Sequence, residues 1–247
     1  MRYFVALSYK GTSFHGWQVQ PHKISVQQVL QDAFSTILRT QINIVGCGRT
    51  DAGVHASQYY FHFDFEGALP RSFTNRLNKF LSPDIAILDI FEVAIDAHAR
   101  FDATYRAYTY RLIFQKSPFH KDLAFYYPYP NRPNFDKMQE VATLLKTYSD
   151  FLPFCKTNSD AKTMICQIFE AKWVKIKGQP EEWQFHIAAN RFLRGMVRLI
   201  VGMSLNVGTG KLSVAEVKTA LDNQTRLPLD WSVPSGGLYL SEVRYNF

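Results

Sequence analysis

The chain has 247 residues, 47% of them hydrophobic and 20% charged, a balance that sustains a buried core and argues against a disordered chain. A net charge of +7 with 15% aromatic residues favours a polyanionic partner and supplies rings for stacking on bases. Three cysteines, Cys47, Cys155 and Cys166, form no CxxC pair, which speaks against a disulfide framework or a structural zinc site. Together with the lack of a signal peptide or a membrane-length apolar run, this predicts a cytoplasmic protein with no membrane partner.

Period-two alternation over Arg2 to Tyr9 predicts a first strand. A turn-rich segment runs from Tyr9 to Gln18. Ser25 then opens a helix with Gln28 placed to complete a capping box, and Val26, Val29, Leu30, Ala33, Phe34, Ile37 and Leu38 form its apolar face. A strand over 42–47 and another reaching Phe65 flank the loop Gly48 to Ala56, and Tyr59, Phe61, Phe63 and Phe65 share one face of the second strand. Pro70 to Leu81 has helical spacing at Phe73, Leu77 and Phe80, ended by Ser82-Pro83-Asp84, and Ile85 to Val93 is a strand. The order strand, helix, two strands, helix, strand is that of a ferredoxin-like unit.

The second half follows the same outline. Tyr105 to Phe114 is a strand with Arg106, Tyr108, Tyr110 and Leu112 on one side. Ser117 to Pro133 holds four prolines and reads as a surface excursion. Phe135 to Lys146 is a helix, Tyr148 to Thr163 an irregular segment with Lys156 and Lys162. Strands Ile168 to Lys177 and Trp183 to Asn190 are hinged at Gly178-Gln179-Pro180. Leu193 to Val207 is a helix, Ser213 caps another with Glu216 three residues on, and Leu238 to Tyr245 is the last strand. The expected fold is therefore α+β. Two ferredoxin-like (RRM-like) halves, 1–102 and 103–247, join into one extended, mostly antiparallel sheet. Helices lie on one face and a basic cleft lies between the halves.

Four features carry chemistry. Asp51 is the only carboxylate between Asp32 and Asp64 and sits in a loop with two glycines; capping a turn and acting as nucleophile or base both fit such a residue. A nucleophilic carboxylate kept from water needs a cation. Arg49 is two residues away. Arg191, Arg194 and Arg198 are spaced by three and four, so they fit one helical stripe able to contact phosphate. Arg198 stands inside the apolar run Met196 to Val201, where a guanidinium wants an anion, and Asp51 is a candidate. Tyr108 and Tyr110, on a sheet face with Arg106, suit either a core or a base-stacking surface. His55 and His62 lack a third ligand in register, so no metal site is expected. No P-loop, dinucleotide or nucleophile-elbow motif is present.

Five blocks carry a family resemblance. They are Tyr9 to Gln20, the loop Gly48 to Ala56, Leu77 to Ile85, and His98 to Tyr110. The fifth pairs Asn190-Arg191-Phe192-Leu193-Arg194-Gly195-Met196-Val197-Arg198 with Gly237 to Leu240. In this order, spanning nearly the whole chain, they resemble the TruA family of tRNA pseudouridine synthases. The resemblance implies a cofactor-free, homodimeric isomerase that converts uridine to pseudouridine at positions 38, 39 and 40 in the anticodon arm of tRNA. It implies Asp51 as the catalytic residue, Arg49 as the arginine that helps displace the target base, Tyr108 as the tyrosine packed on the flipped uracil, and Arg198 as the partner of the aspartate. Tyr110 and Arg194 join these as substrate-binding residues. Gln58 departs from the family, where many members have glycine. A rival reading is a non-catalytic RNA-binding protein on the same scaffold, which would need the basic surface but not Asp51.

Overall fold

The computed structural model describes residues 1–156, 162–178 and 180–247. The sequence-predicted loop residues 157–161 and the hinge residue Gln179 lie outside these. In chain order the elements are β1 (Arg2–Tyr9), α1 (Val26–Leu38), β2 (Ile44–Gly46), β3 (His55–Asp64), α2 (Phe73–Phe80), β4 (Ile85–Val93), β5 (Tyr105–Ile113), β6 (Phe125–Tyr126), α3 (Phe135–Leu145), β7 (Ile168–Ile176), β8 (Glu182–Ala189), α4 (Met196–Gly208), α5 (Val214–Asp222) and β9 (Leu238–Arg244). The class is α+β with mostly antiparallel strands and, among the described residues, five α-helices. None of these helices is long and apolar enough to cross a membrane.

The chain divides into two compact units, Met1–Thr104 with Tyr239–Phe247, and Tyr105–Leu238. This differs from a single cut after residue 102, because the C-terminal segment returns to the first unit. The boundary falls inside β9. His55 and Ala56 of β3 pair in parallel with Tyr239 and Leu240. Gln58, at the position that departs from the family, has a task here: its Oε1 accepts the Val243 N–H at 2.8 Å, tying β9 to β3.

In the first unit β1 lies antiparallel to β3 and β4, and β2 is antiparallel to β3. Phe34 of α1 meets Phe61, Phe63 and Phe73 edge-on, at centroid distances of 5.4, 5.1 and 5.4 Å. This is the geometry that ring quadrupoles favour. Ser25 caps α1 by accepting the Gln28 N–H. The fully reciprocal capping box is at Ser213 and Glu216, before α5. The α2 helix begins at Phe73, three residues later than its apolar spacing suggests, after Ser72 in the left-handed region at φ 58°. Its Phe80 is exposed.

In the second unit β5 pairs antiparallel with β8, and β8 with β7. The segment Ser117 to Pro133 is more than a surface excursion. Its β6 adds to β5 in parallel, pairing Leu112 with Phe125 and Ile113 with Tyr126, and Tyr127 is buried. Phe135 of α3 stacks on Trp183 at 3.5 Å and 9°. The Trp173 indole N–H donates to Ser204 Oγ of α4 at 2.9 Å inside the core. Every residue of α4 except Arg198 is buried, so this helix is the centre of the second unit's packing.

Candidate active site

The loop that carries Asp51 rests on the segment Tyr9 to Trp17, and the contact is mostly backbone on backbone. Trp17 N–H donates to the Thr50 carbonyl at 3.3 Å, Gly53 N–H to the Phe14 carbonyl at 3.2 Å, and Val54 N–H to the Asp51 carbonyl at 3.1 Å. Tyr9 Oη lies 2.9 Å from Thr50 Oγ1, and Tyr59 donates to the Gly48 carbonyl at 2.5 Å. Trp17 stacks on Tyr59 at 4.0 Å, with Tyr9 beside both. All three rings are buried. Two glycines permit the close approach. A Cβ on Gly16, whose φ is +83°, would lie 2.3 Å from the Thr50 carbonyl oxygen, and one on Gly11 would lie 1.9 Å from that of Val54. Both contacts are impossible for a side chain.

On this support Asp51 is half-buried and Arg49 is exposed. The two residues leave the same short turn with different access to solvent. His55, which follows, has a structural task. Its Nδ1 accepts the Gly11 N–H at 3.0 Å, and its ring stacks on Tyr239 at 4.6 Å. His62 has a similar structural task, its Nδ1 accepting the Ala99 N–H at 3.1 Å. Burial, and then the Arg2 and His98 charges, pull its pKa down to about 4.

The second unit places the other candidates. Tyr108 on β5 is half-buried and meets Phe192 edge-to-face at 5.2 Å and 89°. The turn bearing Phe192 is fixed from two sides. Arg106 donates to the Asn190 carbonyl at 3.0 Å, and Asn190 Oδ1 accepts the Gln167 and Arg191 N–H groups, each at 2.8 Å. Arg198, on the first turn of α4, is half-buried. Its Nε donates to the Val233 carbonyl at 2.7 Å, which sets the plane of the guanidinium. The Val233 N–H returns a longer bond of 3.4 Å to the Arg198 carbonyl.

Two sequence expectations change. Arg191, Arg194 and Arg198 do not share a helical stripe, because α4 begins only at Met196, after Gly195 at φ +72°. Arg191 and Arg194 precede the helix, and Arg194 is exposed. Tyr110 is fully buried, and its hydroxyl donates to the Pro234 carbonyl at 2.9 Å. Burial pushes its pKa far above the usual phenol range. It lies inside the fold and not on a face open to a nucleotide. Tyr110 and Arg198 thus hold consecutive carbonyls, those of Pro234 and Val233. The sequence reading gave no part to Phe192, Trp17 or the Val233-Pro234 pair. Only Trp17 and Phe192 had a signal, as large rings inside quoted blocks.

The structure thus gives a half-buried carboxylate on a loop held by backbone bonds, and, in the second unit, a half-buried tyrosine and a half-buried arginine. The comparisons define the class. Residues 144–246 match the family model described as tRNA pseudouridine synthase. Proteins named tRNA pseudouridine synthase A are 44% identical in Bacteroides thetaiotaomicron, over 99% of this chain and 90% of theirs. They are 45% identical in Bacteroides fragilis and in Porphyromonas gingivalis, over 99% of this chain and 96% and 97% of theirs. The chain belongs to the tRNA pseudouridine synthase A family, and is an isomerase of tRNA uridine. A solved Cbf5-Nop10-Gar1 complex is also similar, at TM-score 0.30 and 12% identity over 82% of this chain and 54% of that one. That likeness is too slight to bear on the reading.

Proposed function

We propose that this enzyme converts uridine to pseudouridine at positions 38, 39 and 40 in the anticodon arm of tRNA, with Asp51 as its catalytic residue. The observation that carries this reading is the seating of Asp51. Its loop is locked by backbone bonds to a buried aromatic segment, while its carboxylate keeps partial access to solvent. The strand order of the first unit, with β1 between β3 and β4 and β2 beside β3, supports a ferredoxin-like first half. In this proposal the second half is ferredoxin-like too, and the two sheets continue into one with a basic cleft between them. The cleft brings Asp51 and Arg49 from one side to Tyr108 and Arg198 from the other. The working enzyme is a cytoplasmic homodimer.

The chemistry asks for these groups. The C1′–N1 bond breaks, the uracil turns, C5 bonds to C1′, and the C5 proton leaves as N1 gains one. A stacked uridine must first leave its stack. Arg49, exposed on the turn, takes up the vacated space and holds phosphate. Asp51 must be ionised to react, and Arg198, its plane fixed through Val233, offsets the cost of desolvating it. Tyr108, braced by Phe192, is the wall that keeps the detached uracil in a dry pocket. Attack of Asp51 on C1′, attack on C6, and removal of a sugar proton all fit this arrangement.

The test is incubation with unmodified tRNA, then carbodiimide treatment and reverse transcription. Stops marking positions 38 to 40 are expected. Pseudouridine confined to another arm of the tRNA would overturn the positional part of the reading.

A further inference from the structure

The second unit carries a pocket of about 300 Å³ that the chemistry above does not use. Its walls include Tyr127, Tyr129 and Trp231, and Asn206, Lys211 and Asp230 also line it. It is separate from the candidate site, since Asn206 lies eight residues beyond Arg198 on α4, about 12 Å along the helix.

Asn206 is the informative residue. It is only 7% exposed. Among the described residues its side-chain amide makes no hydrogen bond, although its backbone carbonyl accepts from the Lys211 and Leu212 N–H groups. An amide that opens on a pocket with no protein partner is a donor and an acceptor available to a ligand edge. The other walls describe the rest of that ligand. Tyr127 and Tyr129 meet at 5.0 Å, the Lys211 ammonium stands 5.9 Å over the Tyr129 ring, and Trp231 adds a third aromatic wall. The Asp230 carboxylate is partly offset by Arg226, 3.8 Å away. Flat rings, an amide able to give and accept a bond at one edge, and an ammonium group beside them suit a nucleobase attached to a phosphate.

We propose that this pocket binds a second, unstacked nucleobase of the RNA substrate, away from the base that reacts. The inference rests on tRNA being the substrate. The fold also connects the pocket to the candidate site. Trp231 belongs to the same strap as Val233, and this strap lies directly on α4. A Cβ on Gly202 would fall 1.8 Å from the Trp231 carbonyl oxygen, and Val233 holds Arg198 two turns before Asn206. A base seated against Trp231 therefore lies beside the strap that also carries Val233, already seated on α4 before any base binds.

Two measurements test the pocket. In the first, uridine and adenosine 5′-monophosphates are titrated into the whole enzyme while the Asn206 side-chain amide and the Trp231 indole signals are followed by NMR. Saturable shifts of both signals in the wild type are expected, with the Trp231 shift lost in Asn206→Leu; no shift with either nucleotide, or a Trp231 shift unchanged in that variant, overturns the proposal. In the second, Asn206→Leu and Tyr129→Ala are assayed on tRNA. Tyr129 is half exposed, so its truncation spares the core. Loss of one stacked base predicts a KM for tRNA raised about five- to tenfold with kcat within about twofold. Unchanged KM in both variants, with wild-type activity intact, overturns the proposal. A wild type that makes no pseudouridine contradicts the functional reading alone, because the nucleotide titration still decides the pocket.

Discussion

Arg198 is the residue whose sequence context says most. A guanidinium between Val197 and Leu199, on a helix otherwise buried from end to end, must have partners that compensate its desolvation. The run Met196 to Val201 already displayed that demand. What the run could not display is the Val233 carbonyl, which reaches Arg198 from 35 residues away. Tyr110 shows the opposite case. It has the same strand parity as Tyr108, so alternation alone cannot distinguish them. The difference arises because the Pro234 segment, 124 residues further on, accepts its hydroxyl. Substituting Arg198→Leu is expected to lower activity at least about a hundredfold if it loses a charge-assisted partner of about 3 kcal/mol. Arg198→Lys should recover part of the rate, the charge being kept but the planar fork lost. Activity close to wild type in Arg198→Leu would remove Arg198 from the proposed site.

At the scale of elements, the Tyr9 to Trp17 segment is the support for the loop that carries Asp51, and glycine is what allows the two backbones to touch. Gly16→Ala is expected to cost about 2–3 kcal/mol, combining a strained positive φ with a Cβ driven onto the Thr50 carbonyl. Urea unfolding monitors that cost. Activity should fall beyond the loss of folded enzyme, because Thr50 precedes Asp51; full specific activity in the folded fraction would contradict the role given to the segment. Ser213→Ala provides a comparison far from this loop: losing the capping box of α5 should cost about 1 kcal/mol without changing specific activity. The element order and most boundaries were legible in periodicity and caps. The short β6 was not, because two residues set no period and their partner strand is distant. Nor was the start of α4, because arginines at 191, 194 and 198 mimic helical spacing while Gly195 interrupts it.

For the whole molecule, charge and protonation set the working conditions. A net charge of +7 predicts that tRNA affinity falls steeply as salt rises, through release of counterions from phosphate; a salt-independent Kd would argue against a basic interface. Acid sensitivity follows from His62. Its folded pKa of about 4 lies below its ordinary 6.5, so between these values the unfolded chain binds more protons than the folded one. Its contribution to stability is therefore complete above about pH 6.5 and is lost as the pH falls toward 4. Thermal melting from pH 7.5 to 4.5 should show this decline, and His62→Asn, which retains an acceptor for the Ala99 N–H, should flatten it. An equally steep decline in that variant would assign the effect elsewhere. The division into two units was only partly legible, since nothing in the order of strands says that residues 239–247 rejoin the first unit. The proposed chemistry depends on the glycine-flanked loop that carries Asp51. The most direct test is to replace its carboxylate without changing its shape. Asp51→Asn should bind unmodified tRNA with an affinity close to wild type and form no pseudouridine at positions 38 to 40. Substantial turnover by that variant, with pseudouridine at those positions, would contradict the assignment of Asp51 as the catalytic residue.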